Sequence, residues 1–324
     1  MRPEVSVIMP AYNAAATIGA AIESLLQQTM RNIEVVIVDD GSTDSTGVIA
    51  DDYAEKDGRV LVVHQKNAGA YSARLAGIEK ASGQYLGFMD ADDAVAPNMY
   101  EELLAFAREH DLDIAQCEVE GSPDVDLGNE LFLTKEAVIK QVIVPRLVYG
   151  RGAVTVWDKI YRRSSLQLPF QASDIMMYED LAFNLQAFVS ASKVGYLRKG
   201  LYRYNINEGS SVRNFRLKNV ADLKEAIRFR REIIPNLAID IPVSVDAAWI
   251  CLNVGNMYRV ACSAPIRDGV GRMQKVRVLL DLPEVVKAYE SCGRGLTRKI
   301  MRMGVMVLVV GQMQKMIKFL RKWR

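Results

Sequence analysis

Along the first hundred residues, short apolar runs alternate with segments of helical period. Val5-Ser6-Val7-Ile8-Met9 reads as a buried strand ending in the turn Pro10-Ala11-Tyr12-Asn13, and helical spacing follows over 17–28. A second strand over 33–38 closes on Asp39-Asp40-Gly41-Ser42 and leads into a helix that runs through Tyr53. A third strand spans 59–65, a third helix 68–81 and a fourth strand 84–89, and a helix-like run opens at Pro97. Alternation of this kind predicts an α/β fold: an open, mostly parallel sheet flanked by helices with right-handed crossovers. Such sheets bind ligands beyond the carboxyl ends of their strands, so the polar loops gather at one edge.

The fourth strand delivers Asp90-Ala91-Asp92-Asp93, three carboxylates within four residues, to that edge. Like charges this close repel one another, and a hard cation such as Mg²⁺ or Mn²⁺ relieves the repulsion. An Asp-rich turn capping the next helix is the plainer reading. No lysine-bearing phosphate loop and no Gly-x-Gly-x-x-Gly follows the first strand, which excludes a dinucleotide-binding oxidoreductase.

Taken together in order, the run Val5 to Asn13, Val38-Asp39-Asp40-Gly41-Ser42-Thr43-Asp44-Ser45-Thr46, Asn67-Ala68-Gly69 with Ala73-Arg74, and Met89-Asp90-Ala91-Asp92-Asp93 resemble the motif set of family 2 glycosyltransferases. The resemblance is close over about 4–120 and looser to about 215. It implies a GT-A fold, a UDP-sugar donor, and transfer with inversion at the anomeric carbon. Pro10, Ala11, Tyr12 and Asn13 would then wall the nucleotide slot, with Asp40 accepting the imide N–H of uracil and Asp39 orienting the loop. Asn67 and Gly69 form a turn, and Arg74 reads either as a nucleotide or pyrophosphate contact or as a solvated helix residue. Leu75 stands where many relatives have Asn. Asp90 and Ala91 would face the ribose or sugar, with Asp92, and Asp93 close behind, as metal ligands.

An inverting transfer also needs a base for the acceptor hydroxyl. Since His64 and His110 are the only histidines, a carboxylate is expected. Trp157-Asp158-Lys159-Ile160-Tyr161-Arg162, Tyr178-Glu179-Asp180 and Tyr202-Arg203-Tyr204 resemble the acceptor-side pattern of bacterial relatives that build surface polysaccharides and decorate teichoic acids. That resemblance makes Asp180 the base, with Glu179 shaping the acceptor side; the plain alternative is that both carboxylates complement a helix dipole. Arg203 is a candidate for the diphosphate from the opposite wall, Tyr178 lies on the acceptor side, and Trp157 reads equally as sugar platform or core.

Composition fits this picture. At 324 residues and 50% hydrophobic, the chain has material for one main domain with an appended smaller one. The expected division is a catalytic domain over 1–215 (donor half 1–120, acceptor half 121–215, joined by a surface loop over 118–130), a helical extension over 216–292 and a basic tail over 293–324. Helical spacing recurs at 219–234, 242–262 and 266–280. Cys117, Cys251, Cys262 and Cys292 show neither paired nor zinc-binding spacing, which suits a reducing cytoplasm, and the start leaves no room for a signal peptide. The expected partners are a UDP-sugar, a glycan or lipid-linked acceptor and a possible second copy of the chain, with no nucleic acid. Rival functions are a non-catalytic nucleotide-sugar-binding scaffold at the membrane and a sugar-phosphate nucleotidyltransferase.

The tail changes the charge picture. From Cys292 to Arg324 there are nine basic and no acidic residues, leaving 32 basic against 39 acidic in the remainder. Its apolar run, 303–310, falls short of the ~20 residues a span requires. It reads as an interfacial helix on an anionic membrane, each Lys or Arg adding about 1 kcal/mol, or else as a helix packed on protein. The location that follows is cytoplasmic, peripheral at the inner face of the membrane. Deleting 293–324 is expected to release the protein from anionic liposomes in a flotation assay, whereas undiminished binding would assign the tail to packing.

Overall fold

The computed structural model describes residues 2–121, 134–138, 155–167, 179–205, 217–237 and 282–291, with helical positions at 247, 250, 253, 254 and 257. The expectations placed on Tyr178, on the tail and on most of 242–280 fall outside these residues. The strands are β1 (Val5–Ala11), β2 (Ile33–Asp39), β3 (Val60–His64), β4 (Tyr85–Phe88), β5 (Ala94–Val95), β6 (Ile114–Val119), β7 (Lys159–Arg162) and β8 (Val194–Arg203). The helices are α1 (Ile18–Leu26), α2 (Thr46–Lys56), α3 (Ala70–Lys80), α4 (Met99–Glu109), α5 (Lys135–Ala137, a single turn), α6 (Glu179–Ser190), α7 (Leu217–Ile233) and α8 (Pro283–Ser291).

All eight strands form one sheet in the order β3-β2-β1-β4-β7-β6-β8-β5. β3, β2, β1 and β4 run parallel, so the loops after β1, β2, β3 and β4 emerge on one edge as the alternation predicts. β7 enters antiparallel between β4 and β6, β6 and β8 are parallel, and β5 closes antiparallel on β8.

Both faces of β1 and β2 are buried, which is why they read as continuous apolar runs. Ile8, Val36 and Val38 point to one side and pack with Phe88, Phe183 and Phe188 under α3 and α6. Val7, Met9, Val35 and Ile37 point to the other and pack with Ile22, Leu25, Leu103 and Tyr100 under α1 and α4. Leu223 and Ile227 of α7, with Ile250, Val254 and Val285, belong to the first of these clusters. Helices beyond 216 therefore share a hydrophobic layer with the sheet.

Two elements differ from the sequence reading. The two-residue β5 stands between the acidic cluster and α4, with Ala94 opposite Arg203, and it ties the cluster to the far end of the sheet. α8 opens on Pro283, whose fixed φ and missing N–H suit a first helical position.

Gln28, fully buried, fastens α1 to the entry of α4: Nε2 donates to Ala96 O at 2.7 Å and Oε1 accepts from Tyr100 N at 3.2 Å. Gln28→Leu leaves the Tyr100 N–H unpaired in the core, while Ala96 O keeps its bond from Met99 N. A loss of about 1–3 kcal/mol is expected in urea denaturation.

Candidate active site

The loops after β1 and β2 are knitted by side-chain bonds to backbone. Asn13, in a left-handed conformation (φ 50), accepts from Thr43 N at 2.8 Å, and its own N–H donates to Ser42 Oγ at 3.0 Å. Ala14 N donates to Thr46 Oγ1 and Ala15 N to Asp44 Oδ2. Beside this brace Pro10 is half-buried, Ala11 is buried, and Tyr12 stands 52% exposed with its ring open to a ligand.

Asp39 and Asp40 take different partners. Asp39 accepts from Ser42 N (3.1 Å) and meets His64 Nδ1 (3.1 Å), fixing the turn as expected of a loop-orienting residue. Burial opposes ionisation of Asp39, but these bonds hold its carboxyl below the usual range. Where the sequence points Asp40 at a uracil imide, the structure puts its oxygens on Gln65 Nε2 (2.7 Å), Ala68 N (2.8 Å) and Gly69 N (2.8 Å). The carboxylate thus closes the Asn67–Gly69 turn, whose Gly69 adopts φ 91, a region open to glycine. Asn67 itself is exposed beside Gly41.

The acidic cluster is anchored from β8. Asp93, placed among the metal ligands by its position after Asp92, spends both oxygens on protein donors: Tyr202 Oη at 2.7 Å and Asn205 N at 2.8 Å. Asn205 Nδ2 also grips Asp92 O at 2.8 Å, and Asp90 N donates to Tyr202 Oη at 3.4 Å. Ala91 is buried and Asp92 half-buried. Trp157 is buried and stacked on Tyr202 (ring centroids 4.0 Å apart), so the core role holds for one of its faces. Arg203 ends β8 with its guanidinium on Glu120 at 2.5 Å, apart from the acidic centre.

The centre itself is organised by Arg74. The sequence points this residue at a nucleotide or at solvent; the structure buries it at 4% exposure among three carboxylates. Nη2 lies 3.2 Å from Asp90 Oδ1, while Nη1 lies 3.4 Å from Glu179 Oε1 and 2.7 Å from Asp180 Oδ1. No hydrogen is aligned on Asp180 Oδ1, and Nε is buried without a partner. Among the described residues one cation faces three carboxylates. Burial first, then the neighbouring Asp180, pushes Glu179 up to about 7. Burial likewise raises Asp90 to about 6 against the pull of Arg74, and Asp93 to about 7.

Among the described residues no group of three or more His, Cys, Asp or Glu is arranged as a closed metal cage. The donor set nevertheless fits Mg²⁺ or Mn²⁺ in the manner usual for nucleotide enzymes. One or two carboxylates suffice there, with substrate phosphates and water completing the shell, and Asp92, half-buried beside Asp90 and Asp93, is the carboxylate that the motif places on the metal.

Residues 6–168 match the family described as Glycosyl transferase family 2. The chain belongs to glycosyl transferase family 2. It is 40% identical over 220 residues to the uncharacterized glycosyltransferase EpsJ of Bacillus subtilis (strain 168), covering 65% of this chain and 63% of that one. It is 35% identical over 230 residues to the uncharacterized glycosyltransferase YibD of Escherichia coli (strain K12), covering 67% and 65%. The chain thus spans somewhat under two thirds of these relatives. In fold, this family 2 chain superposes on the crystal structure of S. aureus TarS 1-349 with a TM-score of 0.64 at 19% identity, over 95% of this chain and 88% of that one. The fold is the GT-A type expected of the family.

Two residues of the family 2 site escaped the sequence reading: Asn205, directly after Tyr-x-Tyr, and Arg74 as an internal cation. Because Glu179 holds its proton more tightly folded than unfolded, it favours the folded state at low pH, and that contribution fades as pH rises through about 7. Glu179→Gln is expected to match the parent near about pH 4 and to melt higher near about pH 8 in calorimetry, and parallel pH profiles would refute the assignment.

Proposed function

We propose that this chain transfers a sugar from a UDP-sugar to an acceptor hydroxyl with inversion at the anomeric carbon, Asp180 acting as base. The observation that carries this reading is the convergence on Arg74: Asp90 from the donor edge and the Glu179–Asp180 pair from α6 meet at one guanidinium. Donor and acceptor chemistry thereby share a single point. Asp180 removes the hydroxyl proton as the acceptor oxygen bonds the anomeric carbon, and the bond to the diphosphate breaks with UDP taking the electron pair. Asp92 holds the metal, which when bound neutralises and orients the diphosphate. Tyr12 offers its ring to the base. Glu179, at the same guanidinium, shapes the acceptor side.

Uridine comes first because TarS of the same fold has been crystallised with UDP and with UDP-GlcNAc. Manganese comes first because a Pyrobaculum calidifontis mannosyltransferase of that fold (TM-score 0.53) was crystallised with GDP-Man and Mn²⁺. The acceptor we infer is a surface glycan or its lipid-linked precursor, reached at the inner face of the membrane through the basic tail. No helix among the described residues is long and apolar enough to cross a bilayer.

The test is nucleoside diphosphate release from a panel of nucleotide sugars with Mn²⁺, with UDP binding measured on the same samples. One UDP-sugar should turn over, and Asp92→Ala should abolish the metal dependence. Asp180→Asn should lower transfer by about 10²–10⁴-fold while UDP still binds. Unchanged transfer in Asp180→Asn refutes the base, and absence of UDP binding in the parent refutes the nucleotide-sugar reading.

A further inference from the structure

The Trp157–Tyr161 stretch reaches both anchors of the site. Trp157 belongs to the cluster on the α1 and α4 side of the sheet, Tyr161 to the cluster under α3 and α6. On the first side Trp157 stacks on Tyr202, rings inclined by 19°, and Tyr202 Oη holds Asp93 Oδ2 and the Asp90 N–H. On the second side Tyr161 Oη donates to Asn184 Oδ1 at 2.7 Å. Asn184 lies one turn along α6 from the base, and its Nδ2 donates to Asp180 O (3.0 Å) and Thr155 O (3.1 Å).

Between the two ends lies a buried ion pair. Lys159 Nζ meets Asp158 Oδ1 at 2.5 Å and donates to Thr155 O at 2.6 Å, and Asp158 Oδ2 accepts from Gln116 Nε2 of β6 at 2.8 Å. Lys159 is fully buried and Asp158 nearly so. Burying two charges in a strand lined by apolar residues is costly. The outlay secures geometry: Thr155 O receives both Lys159 and Asn184, so the start of α6 and the start of β7 are registered on one carbonyl oxygen.

We propose that Tyr161 and Tyr202 are positioning residues for transfer. Tyr161 acts through Asn184 on the Asp180 backbone carbonyl, and so on where α6 seats the Asp180 side chain, Tyr202 acts through Asp93 on the Asp90–Asp92 loop, and the buried Trp157–Tyr161 stretch sets the distance between them. The proposal rests on the transferase reading above. It assigns each tyrosine hydroxyl to a different step: Tyr202 to holding the donor, Tyr161 to the acceptor proton.

The test uses Tyr161→Phe and Tyr202→Phe, which keep the rings and their packing. Lys159 is a poorer choice, because its loss leaves Asp158 buried and unpaired. Turnover at saturating donor and the affinity for UDP with Mn²⁺ are measured for both, with melting curves alongside. Tyr161→Phe is expected to lose about 10- to 100-fold in turnover with UDP affinity within about twofold of the parent. Tyr202→Phe is expected to weaken UDP–Mn²⁺ binding by about tenfold, the tenfold equivalent of one charge-assisted hydrogen bond, and to regain most turnover at saturation. Equal losses in both quantities for both variants, or lowered melting temperatures without this split, overturn the proposal. A parent protein that turns over no donor counts against the transferase reading, and unchanged UDP binding in Tyr202→Phe then still overturns the positioning role.

Discussion

Among the described residues, the carboxylates of this site converge on one positive charge. The Arg74 guanidinium leaves the buried face of α3 and is met by Asp90 from the loop after β4 and by Glu179 and Asp180 from the first turn of α6, 105 residues away in sequence for Glu179. A lysine ammonium is a point charge, whereas a guanidinium presents a planar fork that can address carboxylates on separate elements at once. Removing one member of a buried ion pair costs about 3–5 kcal/mol because the partner is left uncompensated. Here three partners depend on one. Burial first, and the neighbouring Asp180 carboxylate after it, raise Glu179 and Asp90 above the usual carboxylate range.

Acidic residues crowd the sheet edge, but most are committed to the backbone. Asp39 orders its own turn, Asp40 closes the turn at Gly69, Asp44 braces Ala15 and Thr46, and Asp93 clasps Tyr202 and Asn205. Loops at the ends of parallel strands have N–H groups that no ladder satisfies, and a short carboxylate is the most economical acceptor for two or three of them. These residues make the edge rigid. Asp90 and the Glu179–Asp180 pair face the Arg74 guanidinium instead.

The alternating strands and helices of 5–109 were readable because β1, β2 and β4 are apolar and buried on both faces and α1 and α4 each carry one apolar stripe, so local pattern and tertiary burial agree there. β5 was not readable: two residues have no period, and Ala94–Val95 is a strand only because β8 lies beside it. The candidate site was readable as a set of motifs, since carboxylates at strand ends stand out against apolar runs. Direction was not. Nothing in the spacing of Asp92 and Asp93 tells that the second turns inward to a tyrosine more than a hundred residues on, and nothing in the helical phase of Arg74 tells whether it faces water or α6. Both depend on which strand lies next to β4, a non-local outcome that the short, antiparallel β7 decides.

β7 also constrains how the molecule can move. Its three-residue ladders to β4 on one side and to β6 on the other weld the parallel half to the strands that lead to α6 and β8. A hinge between those halves would have to rupture backbone hydrogen bonds in the middle of a continuous sheet, while the Trp157–Tyr202 stack and the Lys159–Asp158 pair resist shear across the same seam. The sheet therefore behaves as one plate, without the clamshell closure available to enzymes whose domains meet at a flexible linker. Any closure over the polar edge is thus left to segments bordering the plate, whose sequence can vary without disturbing the plate itself.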